Sequence, residues 1–235
     1  MSNRSAIALQ GVNKAFPVGD GRALEVINIP ALELPTSSYT VLKGPSGSGK
    51  TTLLNLMAGI TVPTAGTIWL DGTDIVALPE ARRDRFRAAH IGYIFQTFNL
   101  MTSFTALENV LLATMFAPRL SKRDQRQRAA ATLSTLGLQG RLSHRPHQLS
   151  RGEQQRVAIA RALVNDPPVI LADEPCASLD PQTAQVVLAE LLSICRRERK
   201  TVLIVSHDEQ ALQGADRVLD MTVINRAQVK MTMPR

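Results

Sequence analysis

Aromatic residues are scarce in this sequence: phenylalanine, tyrosine and tryptophan together make 4% of 235 residues. They do not interleave with the basic runs, which argues against a surface that stacks the bases of a single-stranded nucleic acid. Cysteine is rarer still. Cys176 and Cys195 show no metal or redox spacing, so they read as packed free thiols in a reducing compartment. Long apolar runs are missing too. A membrane helix needs at least ~18 apolar residues, and the strongest run, Val186 to Cys195, is interrupted by Glu190. The opening residues Met1-Ser2-Asn3-Arg4-Ser5-Ala6 lack the apolar stretch of a secretory signal. Together these absences predict a cytoplasmic chain, long enough to bury a real core as one large domain or two small ones.

Negative charge is also in short supply, and the formal net charge is +7. The excess is mostly arginine, gathered at Arg82 to Arg87, Lys122 to Arg128 and Arg196 to Lys200. Each cluster is punctuated by an acid and lies in or beside an expected helix, which fits solvated helix faces. Nucleic acid and an anionic membrane surface are the alternatives that the charge keeps open.

What the chain does have is a glycine-rich loop in a specific setting. Gly44-Pro45-Ser46-Gly47-Ser48-Gly49-Lys50-Thr51-Thr52 fits G-x-x-x-x-G-K-[ST], the phosphate-binding loop of nucleoside-triphosphate enzymes. Tyr39 to Leu42 ahead of it reads as a strand. Leu53, Leu54, Met57 and Ile60 behind it recur at helical spacing. Such a junction aims backbone N–H groups and the positive end of a helix dipole at one spot. The glycines let the backbone approach the phosphates, Lys50 reaches the β- and γ-phosphates, and the Thr51 hydroxyl sits on Mg²⁺.

In chain order, short strands are expected at Ile7 to Leu9, Leu24 to Ile29 and Tyr39 to Lys43, with turns at Pro17 to Gly21 and Pro30 to Pro35. Phe16 is either a hydrophobic plug or a platform for an adenine ring. Thr67 to Gly72 reads as a strand entering a turn, with Trp69 in the core, and Ile91 to Phe95 as a buried strand ending at Gln96. Helices follow at Thr105, where Glu108 stands three residues on, at Ser121 to Leu136 and at Ser150 to Asn165. Val169 to Ala172 is a strand leading into Asp173-Glu174. A helix covers about Gln182 to Arg196, Val202 to Val205 is a further strand ending at His207, and Arg217 to Lys230 is strand-like. This order predicts an α/β core with a parallel sheet and a helical insertion. Gln96, Asp173 and His207 each follow an apolar strand, so all emerge with the phosphate loop at the carboxyl edge, where ligands bind in such folds.

The chemistry at that edge is that of hydrolysis. Asp173 suits a Mg²⁺ shell, and Glu174 is placed to polarise an attacking water. His207 can bond a γ-phosphate or orient the water, and Gln96 can reach the metal or the water.

Leu149-Ser150-Arg151-Gly152-Glu153-Gln154-Gln155-Arg156 resembles the signature segment of ABC-type ATPases. With the phosphate loop, Gln96, Asp173-Glu174, Ser178-Leu179-Asp180 and His207, the resemblance spans nearly the whole chain. It implies a P-loop core with a parallel sheet, an N-terminal antiparallel β subdomain and a helical subdomain at roughly 97–165, all within one ATP-binding domain of residues 1–235. It assigns Phe16 to the adenine ring, and Ser150, Gly152 and Glu153 to the segment that meets ATP held by a second subunit. ATP and Mg²⁺ are the implied cofactors. The implied partners are a second copy of the ATP-binding subunit and an integral-membrane permease, with the protein peripheral on the inner face of the cell membrane and no nucleic acid expected. The stretches Ile91 to Leu100 and Thr105 to Val110 are similar to the branch serving macrolide export, lipoprotein release and the cell-division permease. Two positions depart from the family pattern: Arg151 replaces the first signature glycine, and Cys176 stands where threonine is commoner. The competing readings are a soluble ABC-type ATPase acting on nucleic acid, favoured only by the charge, and a P-loop kinase, which leaves Glu174, the signature and His207 without a common purpose. Finally, Phe98, Leu100, Met101 and Phe104 crowd a non-periodic connection. Some of them are expected on the surface as a partner site, in the region where the family's permease docks.

Overall fold

The computed structural model describes residues 5–18, 22–115 and 121–227. Its first layer is an antiparallel sheet. Strands β1 (Ser5–Pro17), β2 (Ala23–Pro35), β4 (Ala65–Leu70) and β5 (Thr73–Asp74) lie in the order β2-β1-β4-β5. The second layer is a fully parallel sheet of β6 (Ile91–Ile94), β7 (Val169–Asp173), β8 (Thr201–Val205), β3 (Tyr39–Lys43) and β9 (Arg217–Asp220), in that order. Helix α1 (Lys50–Met57) follows β3, and α2 (Glu80–His90) precedes β6. Helices α3 (Ala106–Thr114), α4 (Lys122–Thr135) and α5 (Arg151–Leu163) form the insertion. After it come α6 (Pro181–Arg197), α7 (Glu209–Leu212) and the short α8 (Met221–Ile224).

The central strands read as continuous apolar runs because both faces are covered. Along β8, Val202 and Ile204 join the helical side, while Leu203 and Val205 face α1 and the antiparallel sheet. Ile170 and Ala172 of β7 divide from Val169 and Leu171 in the same way. The strand order puts β3, the strand that delivers the phosphate loop, beside β8, with β7 next along. The three chemically loaded strand ends are thus neighbours.

Four expectations change. Pro30 to Pro35 is not a turn: β2 runs through it, pairing Ile29 with Val12 and Ala31 with Gln10. A strand tolerates proline there because, among the described residues, β2 is an edge with no ladder on its outer side. Trp69 is not in the core. Ile68 and Leu70 are fully buried, and the two-residue period of the strand turns Trp69 outward. Ile60 lies past the end of α1 and is exposed. The tail is a strand only over Arg217–Asp220, after which Asp220 caps α8 by accepting from Thr222 N. Helix α2 had no signal in the apolar pattern and buries no residue. The expected turn beyond Val18, the first four residues and the tail past Ala227 lie outside the described residues.

Candidate active site

The phosphate loop is shaped by packing as well as by the need to approach phosphate. Gly49 has φ 93°, and a Cβ there would lie 2.9 Å from Ile27 Cδ1 and 3.1 Å from the Val26 carbonyl. At Gly44 a Cβ would meet Met221 Cβ at 2.8 Å. Both positions accept only glycine, and both contacts come from outside the loop.

Lys50, the first residue of α1, is 8% exposed. Its Nζ donates to the Gly44 and Pro45 carbonyls at 2.7 and 2.9 Å, and no carboxylate lies within ion-pair distance among the described residues. A buried ammonium with two neutral acceptors and no counter-charge is suited to an anion. Next to it, Thr51 Oγ1 donates to Asp173 Oδ2 at 2.7 Å, which joins the start of α1 to the end of β7. Gln96 Nε2 donates to Glu174 Oε2 at 3.2 Å, and His207 Nε2 lies 4.0 Å from Glu174 Oε1. Glu174 itself has φ 44°, a left-handed conformation that costs a non-glycine residue energy, and it is held there by its N–H donating to the Val205 carbonyl at 3.0 Å. Ser46, Gly47, Gly49, Lys50, Thr51, Thr52, Gln96, Asp173, Glu174 and His207 line one cleft, joined by Val26 of β2. The structure thus brings the strand-end residues and most of the loop together, while Gly44, Pro45 and Ser48 of the loop are not among the residues that line this cleft.

Phe16, Ser150, Gly152 and Glu153 do not line that cleft. Phe16 is exposed on β1, with Lys14 Nζ 5.0 Å from its ring centroid. Ser150 caps α5 through a reciprocal box: its hydroxyl accepts from Glu153 N, and Glu153 Oε2 accepts from Ser150 N at 2.8 Å. Arg141 Nε donates to Glu153 Oε1 at 2.8 Å. That bond, followed by the Ser150 backbone bond, holds the Glu153 carboxyl below its ordinary value. Arg151 donates to the Ser178 carbonyl at 3.2 Å, so the unusual signature residue ties the start of α5 to the loop before α6. Gly152 sits where α5 meets α6, and a Cβ there would be 2.6 Å from Thr183 Cγ2. Cys176 packs beside the core, with burial pushing its thiol up to about 12.

Reasoning from the sequence missed two residues that organise these parts. Arg161, inside α5, donates to the Asn99 and Phe98 carbonyls at 2.6 and 2.8 Å, fastening the loop after Gln96 to the signature helix. Its only signal was an arginine between buried alanines. Asn225 reaches the phosphate loop from the tail and had none. Of the apolar residues in that loop, Met101 and Phe104 are exposed, while Phe98 and Leu100 are half-buried and Leu100 packs on the core.

A phosphate loop at the head of a helix, a strand-end Asp-Glu pair and a facing histidine on a parallel sheet define a P-loop ATPase. The family model described as "ABC transporter" matches residues 27–177. The chain is 44% identical over 216 residues to the macrolide export ATP-binding/permease protein MacB of Rhodopirellula baltica, covering 92% of this chain and 31% of that protein. It is 39% identical over 221 residues to the lipoprotein-releasing system ATP-binding protein LolD of Pseudomonas fluorescens, covering 94% of this chain and 96% of that one. Among solved structures it superposes on the ATP-binding cassette MJ0796, a dimer in a post-hydrolysis state bound to ADP and Pi. The TM-score is 0.84 at 35% identity, over 95% of this chain and 96% of that one. This chain belongs to the ABC transporter family and is an ATP-binding, ATP-hydrolysing cassette of it. It spans about a third of the MacB relative and nearly all of LolD.

Proposed function

We propose that two copies of this chain close head to tail around two ATP molecules and that this closure drives an integral-membrane permease of the export or lipoprotein-release type. One observation carries the reading. Lys50, Thr51, Gln96, Asp173, Glu174 and His207 converge on one cleft, while the capped N-terminus of α5, with Ser150 and Gly152, lies outside it. The family resemblance assigns Ser150 and Gly152 to ATP, and since they lie outside this chain's own cleft they would serve the ATP of a second subunit, their helix N-terminus presenting N–H groups to the anion.

In this reading the backbone of Gly44 to Thr52 wraps the phosphates, and Lys50 exchanges its two carbonyl partners for β- and γ-oxygens. Phe16 stacks on adenine. Thr51, Asp173 and Gln96 offer hard oxygen donors for Mg²⁺. The described residues hold no cluster of three or more His, Cys, Asp or Glu that would suit another metal. Mg²⁺ needs only one or two protein ligands beside phosphate and water, and when bound it neutralises charge on the phosphate oxygens. Glu174 takes the proton of the attacking water, with Gln96 fixing its carboxylate and His207, 4.0 Å from the same carboxylate, meeting the γ-phosphate or orienting the water. We read residues 1–235 as one ATP-binding domain, with roughly 97–165 as its helical subdomain. Among the described residues no helix is long and apolar enough to cross a membrane. The protein is accordingly proposed to sit peripherally on the inner face of the membrane, with Met101 and Phe104 toward the permease. The test is Glu174→Gln, which keeps ATP affinity and lowers turnover by about 10²–10⁴-fold; near wild-type turnover would remove Glu174 from the chemistry.

A further inference from the structure

We propose that Asn225 is a positioning residue for ATP: it locks the phosphate loop to strand β2 through the C-terminal segment. This rests on the phosphate loop being the nucleotide site. The Asn225 Nδ2 group donates to the Ser48 carbonyl inside the loop at 3.3 Å and to the Val26 carbonyl of β2 at 2.9 Å. Its Oδ1 accepts from Asn28 N at 2.8 Å, and Arg226 N donates to the Asn28 carbonyl at 2.8 Å. Among the described residues β2 is an edge strand paired with β1, and Val26 O and Asn28 N face away from that partner. A carboxamide carries a donor and an acceptor side by side, and here it occupies the place a neighbouring strand would take.

The rest of the segment grips the loop at two further points. Asp220 pairs with Lys43, the residue before Gly44, at 3.6 Å. Met221 packs so closely on Gly44 that no Cβ fits between them. On the far side, Val26 lines the nucleotide cleft, and its carbonyl lies within 3.1 Å of where a Gly49 Cβ would stand. Asn225 therefore holds both walls of one corner, the loop that takes the phosphates and the sheet that carries Phe16. The bonds bridge 177 and 199 positions of sequence, and of these contacts only the Asn225 side chain touches both walls at once.

The experiment measures Mg-ATP affinity by calorimetry, with steady-state KM and kcat, for Asn225→Ala and Asn225→Asp. Asn225→Ala is expected to weaken binding and raise KM about tenfold, equivalent to about 1.4 kcal/mol, with kcat within about twofold. Asn225→Asp keeps the acceptor for Asn28 N but turns a carboxylate toward the Val26 and Ser48 carbonyls, so it should fold and bind ATP at least as weakly. It carries the test alone if the alanine variant does not fold. Melting temperatures without nucleotide identify a purely structural role: lower stability with unchanged affinity and KM overturns the proposal. Lys50→Ala runs alongside. If it retains ATP binding, the site reading itself fails; if it loses binding while both Asn225 variants bind normally, only the present inference fails.

Discussion

Two adjacent substitutions at the start of α5 should have opposite consequences, and the structure gives the reason. Arg151 is exposed and makes one hydrogen bond, to the Ser178 carbonyl at 3.2 Å. An exposed bond of this kind is worth at most about 1 kcal/mol, and glycine in a helix costs about another 1 kcal/mol relative to alanine. Arg151→Gly should therefore lower the melting temperature by at most about 4–8 °C, at about 2–4 °C per kcal/mol for a chain of this size. Its ATPase rate should stay within a few-fold, because the Ser150 hydroxyl and the helix N–H groups remain. Gly152→Ala places a methyl 2.6 Å from Thr183 Cγ2, well inside contact distance. Relief requires the β-branched Thr183 side chain to leave its rotamer or α5 and α6 to part by about 1 Å, and overpacking of this kind costs roughly 1–3 kcal/mol. A displacement of that size at a reacting group can cost about 10²-fold in rate. Thr183→Ser removes the offending methyl, so the double variant Gly152→Ala with Thr183→Ser should regain most of the loss. Steady-state ATPase assays and thermal melts on the four proteins suffice. A hundredfold loss in Arg151→Gly, about 2.7 kcal/mol of barrier, would refute the reasoning by making the arginine itself catalytic. A fully active Gly152→Ala would refute the packing argument.

Lys50→Ala should abolish ATP binding in a nucleotide-fluorescence titration, because two neutral carbonyls cannot replace its charge at the phosphates. Met101→Ala combined with Phe104→Ala should leave basal ATPase unchanged yet reduce recovery of the subunit with its membrane partner; unchanged recovery would remove these exposed side chains from the permease contact. Burial raises the Cys176 and Cys195 thiols from 9.0 to about 12. The unfolded chain releases these protons at lower pH than the folded one, so stability should fall as pH rises above about 9. A flat melting profile between pH 9 and 11 (roughly the window those values set) would contradict it.

The convergence of these residues on one cleft was legible in the sequence because they end apolar strands or follow a glycine pattern, and both are local signals. Asp173 and Gln96 needed only the observation that a buried strand must emerge somewhere. Trp69 was misplaced although the alternation around it was available, since Ile68 and Leu70 already claimed the inner face. Pro30 was misread as opening a turn, because whether a strand tolerates proline depends on its having an outer neighbour, and that is decided by sheet order. Asn225 and Arg161 were invisible for a related reason. Their partners are backbone carbonyls, which leave no mark on residue type, and those carbonyls are 63 or more residues away in sequence and come within reach only when folding has closed the sheet: Phe98 for Arg161, Ser48 and Val26 for Asn225.

The head-to-tail sandwich is tested most directly by the solution mass of Glu174→Gln with and without ATP. The monomer is 25.6 kDa. Light scattering on the eluting peak should give that mass without nucleotide and twice that mass with saturating ATP. Adding Ser150→Arg, which fills the α5 N-terminus with a charged side chain, should restore the monomer while leaving ATP bound. A Glu174→Gln protein that binds ATP and remains at the monomer mass would contradict the account.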